Sequence, residues 1–474
     1  MNETSRPVDV LLEVRRDAPG TLGAQIEEQL RRAIRDGTLR PGTLVPSTRD
    51  LARQLGVSRR VAVDAYAQLA AEGWLVLRQG ARPRVSDAAE ASGRTGAATA
   101  DAGPPPATAR YDLRPSAPDV SRFPREAWLR AVRQALADMT DADLAYGDPR
   151  GAEPMRRALA DHLGRTRGVV ADANRIVVTC GFQQGLDLVC RVLVADGARR
   201  LAFEDPSFPE QREIAARAGL EPVGVPVDEE GLRADALHDS RAAAVVVTAA
   251  HQHPTGVVLS GARRAELLAW LRANDTVAIE DDYDAEYRYD RAAVGALQGL
   301  DPEHVVYAGS ASKTLAPALR LGWLVLPQRL VAPVAEAKHL ADQQTDRIQQ
   351  LAFASFLARG DLDRHLRRMR AAYRARRDAL VQALAEELPD AAVSGIAAGL
   401  HATVRLDATD DEQAILGAAA ERRIGLSTMS AHRMAAAGPG PPILLLGYGQ
   451  VPEAAIRPGV RELAAAVRAA RARR

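Results

Sequence analysis

In the stretch SASKTLAPALRLG (residues 310–322), Lys313 sits among small residues, with Arg320 seven positions on and Gly322 two after that. One other lysine, Lys338, occurs among the 62 Lys and Arg residues of the chain. A sequence that writes nearly every positive charge as arginine has a chemical reason to keep Lys313. A primary amine can lose its proton and attack a carbonyl, whereas a guanidinium stays charged. The apolar run HVVYAGS (304–310) leads directly into the lysine, so a strand is expected to deliver it.

Similar short apolar runs precede it: RIVVTC (175–180), RLAFED (200–205), AAAVVVTAA (242–250) and TVAIEDD (276–282). Helical stretches separate them. That alternation predicts a mostly parallel sheet with helices on both faces, whose ligands bind beyond the carboxyl ends of the strands. Four of those ends carry chemistry. CGFQQG (180–185) opens a helix, and its backbone N–H groups suit a phosphate. Ser310 and Arg320, flanking Lys313, could add a hydroxyl and a guanidinium to the same anion. IEDDYDAEY (279–287) offers Asp281 to a protonated ring nitrogen and Tyr283 to a phenolic oxygen. A divalent cation is the alternative for that acidic loop. EDPSFPE (204–210) offers Phe208 as a stacking face or as plain core. AAHQHPTG (249–256) carries His251 and His253 at i, i+2, with no further Cys/His spacing to complete a zinc site.

The first 86 residues read differently. TLGAQIEEQLRRAIRDG (21–37) places Leu22, Ile26, Leu30 and Ile34 on one helical face. PSTRDLARQLG (46–56) and VSRRVAVDAYAQLAAEG (57–73) start at the N-cap residues Ser47 and Ser58 and stop at Gly56 and Gly73. WLVLRQGARPRVS (74–86) then reads as two short strands about a turn. Helix, tight turn, helix and wing is a DNA-docking order. It places Ser58, Arg59 and Arg60 at the start of the recognition helix, Arg49 near the backbone, and Arg78 and Arg82 at the wing tip. The same 86 residues hold 14 Arg against 10 Asp and Glu, a net of +4, within a chain of net charge +1. Between the two regions, residues 87–110 are dominated by Ala, Gly, Thr and Pro with no large apolar residue, which predicts a flexible linker.

At 474 residues, 47% hydrophobic and 26% charged, the chain suits two or three globular domains. Its start lacks the order of a signal peptide, and no apolar run approaches the ~20 residues of a membrane span. Two cysteines, Cys180 and Cys190, fit a reducing compartment. The expectation is a soluble cytoplasmic protein with no membrane partner.

The segment IRDGTLRPGTLVPSTRDLARQLGVSRRVAVDAYAQLAAEGWL (34–75) resembles the winged helix of the GntR family of bacterial regulators. The wing departs from the family's Gly-Ser-Gly-Thr. Residues 111–474 resemble the aspartate-aminotransferase type (fold type I) of pyridoxal-phosphate enzymes, through AYGDPRGAEPMRRALADHL, VTCGFQQGLDLVCRVL and SASKTLAPALRLGW. The fusion of the two resembles the MocR/GabR subfamily of transcription regulators.

That resemblance implies a multidomain α/β chain: a winged helix over 1–86, a linker over 87–110, and an aminotransferase fold with a large and a smaller C-terminal domain over 111–474. It implies pyridoxal 5′-phosphate as cofactor, with Lys313 as its Schiff-base lysine and Asp281 facing the pyridine nitrogen. Tyr283 would meet the ring hydroxyl and Phe208 the ring face. Gly181, Phe182, Gln183, Ser310 and Arg320 would surround the phosphate, and Tyr146 would reach the phosphate of a neighbouring subunit in a homodimer. Two departures concern the amino-acid site. His253 replaces the Asn that opens the family's NPTG loop, and PPILLLGYGQ (441–450) is apolar where a carboxylate-binding arginine is expected. The implied function is a regulator that binds double-stranded DNA and senses the cofactor, or an amine or amino-acid effector. The alternative is a working aminotransferase with an autoregulatory DNA-binding domain.

Overall fold

The computed structural model describes residues 12–88, 109–115, 117–289, 294–395, 397–434 and 440–473. The chain divides into two compact units, Met1–Pro106 and Ala107–Arg474. The linker expected over 87–110 falls almost wholly outside the described residues.

In the first unit, helices Leu22–Arg35, Thr48–Leu55 and Arg59–Ala71 close around one core. Ile26, Leu30 and Ile34 are fully or almost fully buried, as their helical spacing predicts, and pack with Leu51, Tyr66 and Leu69. Ser47 accepts a hydrogen bond from the Asp50 N–H at 3.2 Å, and Ser58 accepts one from Val61 at 3.4 Å. Both side chains satisfy N–H groups that a helix start leaves open. Gly56 ends the second helix at φ 63°, a left-handed backbone that glycine adopts without a Cβ penalty. Strands Leu75–Val76 and Arg84–Val85 then pair antiparallel as the wing.

The second unit is built on an eight-stranded sheet. Across it run Ile176–Thr179, Gly322–Val325, Val305–Ser310, Val277–Asp281, Ala244–Val247, Arg200–Asp205, Glu221–Asp228 and Gly231–Leu232. Neighbours from Val305–Ser310 through Glu221–Asp228 are parallel, while Gly322–Val325 is antiparallel to both of its neighbours. Alternate residues of one strand enter different cores: Ala244 and Val246 pack on one side, Val245 and Val247 on the other. A strand covered on both faces has no polar side to show, which is why these runs read as continuously apolar. A smaller antiparallel sheet, Ala392–Ser394, His401–Arg405, Ile443–Gly447 and Ser427–Thr428, packs with the long helices Asp361–Glu387 and Glu453–Ala472. Among the described residues no helix is long and apolar enough to cross a membrane.

Candidate functional site

Two adjacent parallel strands bring Lys313 and Asp281 together. Val305–Ser310 hands over to the four-residue helix Ala311–Thr314, which carries Lys313, and its neighbour Val277–Asp281 ends on the carboxylate. The Tyr287 hydroxyl donates to the Lys313 carbonyl at 3.2 Å and holds the lysine's backbone. Burial lowers the Lys313 pKa below the ordinary lysine value, opposed by the charges of Asp281 and Asp284. Burial likewise pushes Asp281 up to about 8, although Gln211 donates to it at 2.7 Å. An amine biased towards neutrality can attack a carbonyl, and a carboxyl this short of solvation gains from a cationic ring nitrogen.

The cradle for an anion lies at the start of helix Phe182–Ala195. Gly181, its N-cap residue, has φ 92° and offers no capping side chain, so the first N–H groups of the helix are open. The backbones beneath are in tight contact: a Cβ on Gly322 would lie 2.7 Å from the Gly181 Cα. Arg320, itself left-handed at φ 47°, donates to the Cys180 carbonyl at 2.6 Å and overhangs the same turn. Phe182 and Gln183 occupy the first helical positions, and Ser310 begins the lysine helix at the strand pairing with Gly322. An uncapped helix start and an adjacent guanidinium suit a phosphate, so the donor set here fits pyridoxal 5′-phosphate.

Four histidines cluster beside Tyr283 and Phe208. His251 Nδ1 lies 3.0 Å from Asp284 and 3.1 Å from the Tyr283 hydroxyl, and His401 Nε2 lies 3.1 Å from the Pro254 carbonyl. His253 lies flat on Phe208, with ring centroids 3.5 Å apart and planes within 1°. His432 meets His253 edge-on at 4.9 Å. Burial, before any neighbouring charge, lowers the pKa of His253, His401 and His432. Tyr283 is buried, and its phenol is raised well above its ordinary value, chiefly by that burial. Tyr146 is 81% exposed.

The structure thus gathers Lys313, Asp281, Tyr283, Phe208, Gly181, Phe182, Gln183, Ser310 and Arg320 around the carboxyl ends of the strands. Gln211, His401 and His432 belong to the same cleft and were not singled out in the sequence. Gln211 lies in the first turn of the helix Pro209–Ala218, three residues beyond its N-cap residue Phe208. His401 lies on the strand His401–Arg405 of the smaller sheet and His432 in the turn Ser430–His432 that follows its strand Ser427–Thr428, and neither carries a local signal.

In the first unit, Arg49, Ser58, Arg59, Arg60, Arg78 and Arg82 are all exposed. Arg60 reaches Asp64 at 3.7 Å, and the charge of Arg82 helps hold the Asp50 carboxyl below its ordinary range, after the Ser47 hydrogen bond.

Residues 117–430 match the family model described as aminotransferase class I and II, and residues 22–85 that of bacterial regulatory proteins, gntR family. The chain is 34% identical over 456 residues to the HTH-type pyridoxine biosynthesis transcriptional regulator PdxR of Corynebacterium glutamicum, covering 95% of this chain and 96% of that one. It is 29% identical over 474 residues to the probable rhizopine catabolism regulatory protein MocR of Rhizobium meliloti, covering 96% of each. Among solved structures it is similar to the α-aminoadipate aminotransferase LysN of Thermus thermophilus, complexed with N-(5′-phosphopyridoxyl)-L-leucine. That match has TM-score 0.69, 26% identity, and coverage of 77% of this chain and 93% of that one.

Proposed function

The chain belongs to the MocR/GabR subfamily of GntR-type regulators, and on that premise we propose that pyridoxal 5′-phosphate, held at Lys313, is the ligand its aminotransferase-like unit senses. The observation that carries the reading is the pairing of Lys313 with Asp281 on adjacent strand ends beside the Gly181 cradle. When bound, the group supplies an aldehyde that condenses with an amine.

This chain's own residues do the rest. Asp281 holds a proton at the ring nitrogen, while Gln211 fixes the carboxyl's orientation. Tyr283, itself placed by His251, addresses the phenolic oxygen. The N–H groups at Gly181, Phe182 and Gln183, with Ser310 and Arg320, bind the phosphate. Tyr146, exposed on its own subunit, completes the phosphate site of a second copy in a homodimer. Arg49, Ser58, Arg59, Arg60, Arg78 and Arg82 bind operator DNA.

The reading is a regulator rather than an enzyme of transamination. The strand Ile443–Gly447, where the resemblance places a carboxylate-binding arginine, reads Ile-Leu-Leu-Leu-Gly and is largely buried. The PdxR relative's name, with its reference to pyridoxine biosynthesis, supports a vitamer of the cofactor as the signal, ahead of an added amine or amino acid.

The test is a titration of the full chain with pyridoxal 5′-phosphate, followed by the absorbance shift of the aldehyde on bonding to an amine. Wild type shows the shift and Lys313→Ala does not. An undiminished shift in Lys313→Ala would remove the assignment.

A further inference from the structure

His253 differs from the histidines around it. His251 is tied to Asp284 and Tyr283, and His401 to the Pro254 carbonyl. His253 is buried as deeply, yet neither of its ring nitrogens has a hydrogen-bond partner among the described residues. Buried polar atoms are seldom left so, because the desolvation is uncompensated. What holds its ring instead is a face-to-face stack on Phe208, at 3.5 Å and 1°, which seats the imidazole over one face of that ring.

Tyr283 stands edge-on beside this stack, 5.8 Å from Phe208 and 6.0 Å from His253. The residue assigned to the ligand's phenolic oxygen therefore borders the layer that the imidazole fills. Lys313 is near enough for its charge to act on His253. A flat heteroaromatic group stacked on Phe208, beside Tyr283 and near Lys313, describes both His253 and the ligand of the proposed function.

We propose that His253 is a displaceable stand-in for the ligand's ring. It shields Phe208 and yields that face when a pyridine aldehyde enters. This rests on the cofactor reading and adds the step by which occupancy becomes movement. The imidazole is packed against His432 at 4.9 Å. The His432 carbonyl accepts from the Ser207 N–H at 3.0 Å and from the Arg212 guanidinium at 2.9 Å, and the Met434 N–H donates to Asp205 at 2.9 Å. Those bonds fasten segment 427–434, which begins on the Ser427–Thr428 strand of the smaller sheet, onto the Asp205–Arg212 stretch that carries Phe208. An imidazole driven off Phe208 presses on that fastening and loosens it.

The experiment uses the full chain, pyridoxal 5′-phosphate, the absorbance shift as a measure of affinity, and hydrogen exchange of segment 427–434. Because a stacked pair contributes modestly, His253→Ala should bind the ligand about two- to tenfold more tightly than wild type. His253→Phe keeps a stacking ring and has no nitrogens to satisfy, so it should bind more weakly. Ligand should quicken exchange in 427–434 of wild type and leave it unchanged in His253→Ala. Weaker or equal binding by His253→Ala, or no ligand effect on exchange in wild type, overturns the stand-in while leaving the cofactor site in place. A wild type that shows no absorbance shift overturns both.

Discussion

At the scale of single residues, the site depends on groups whose burial holds them in unusual protonation states. Asp281→Asn removes the charge that faces the ring nitrogen. It should weaken pyridoxal 5′-phosphate binding roughly ten- to a hundredfold, the worth of a hydrogen bond to a charged group. The same carboxyl gives a pH dependence. Its folded pKa, about 8, lies above its unfolded value, so the fold binds that proton more tightly. Its contribution to stability is complete below about pH 4 and is lost as pH rises through 8. Glu204, raised to about 7, and Glu280 and Glu286, also raised by burial, act in the same sense. The buried histidines 162, 253, 365, 401 and 432 oppose them, because their lowered pKa values make stability rise with pH up to about 6.5. Between about pH 6.5 and 8 the histidine slope has ended, and the slope of the several raised carboxyls is opposed by Lys313, whose lowered pKa favours the fold as pH rises. The melting temperature of the ligand-free chain should fall across that window, and less steeply in Asp281→Asn. A rise in wild type would contradict these assignments. Lys313 and Asp281 were legible in the sequence because amine and carboxylate each end an apolar run. Their environment was not, since Gln211's hydrogen bond and the His401–His432 cluster exist only once distant strands meet.

At the scale of elements, the cradle and the recognition helix are set by backbone. Gly322→Ala would put a methyl 2.7 Å from the Gly181 Cα. The turn must shift, and overpacking of this kind typically costs about 1–3 kcal/mol. Ligand affinity should drop roughly tenfold or more while helical content stays as in wild type; an unchanged affinity would show that the anion is not held there. In the first unit, Ser58→Ala deletes the cap of the recognition helix and should destabilise that unit by about 1 kcal/mol, read from chemical denaturation. Arg59→Ala should lower the dependence of log affinity for DNA on log salt by about one if Arg59 neutralises a phosphate, and leave it unchanged if it does not. Helix starts and stops were readable from Ser47, Ser58, Gly56 and Gly73, because capping is local chemistry. Strand order was not. The antiparallel insertion of Gly322–Val325 between Ile176–Thr179 and Val305–Ser310 is a long-range pairing that no local pattern encodes.

Across the whole molecule, a stretch rich in Ala, Gly, Thr and Pro separates two kinds of sequence pattern, and the sheet's two-sided burial explains why the larger region carries uninterrupted apolar runs. A homodimer sharing phosphate sites predicts that Tyr146→Phe weakens ligand binding without altering the protomer's fold, and that the operator carries paired half-sites. On the proposed function, occupancy at Lys313 is reported at the DNA. This is tested most directly by measuring binding of the full chain to the DNA upstream of its own gene, at one fixed salt concentration, with and without pyridoxal 5′-phosphate. The expected result is sequence-selective binding that shifts with the ligand in wild type and does not shift in Lys313→Ala. Selective binding that ignores the ligand, or an equal shift in Lys313→Ala, would contradict it.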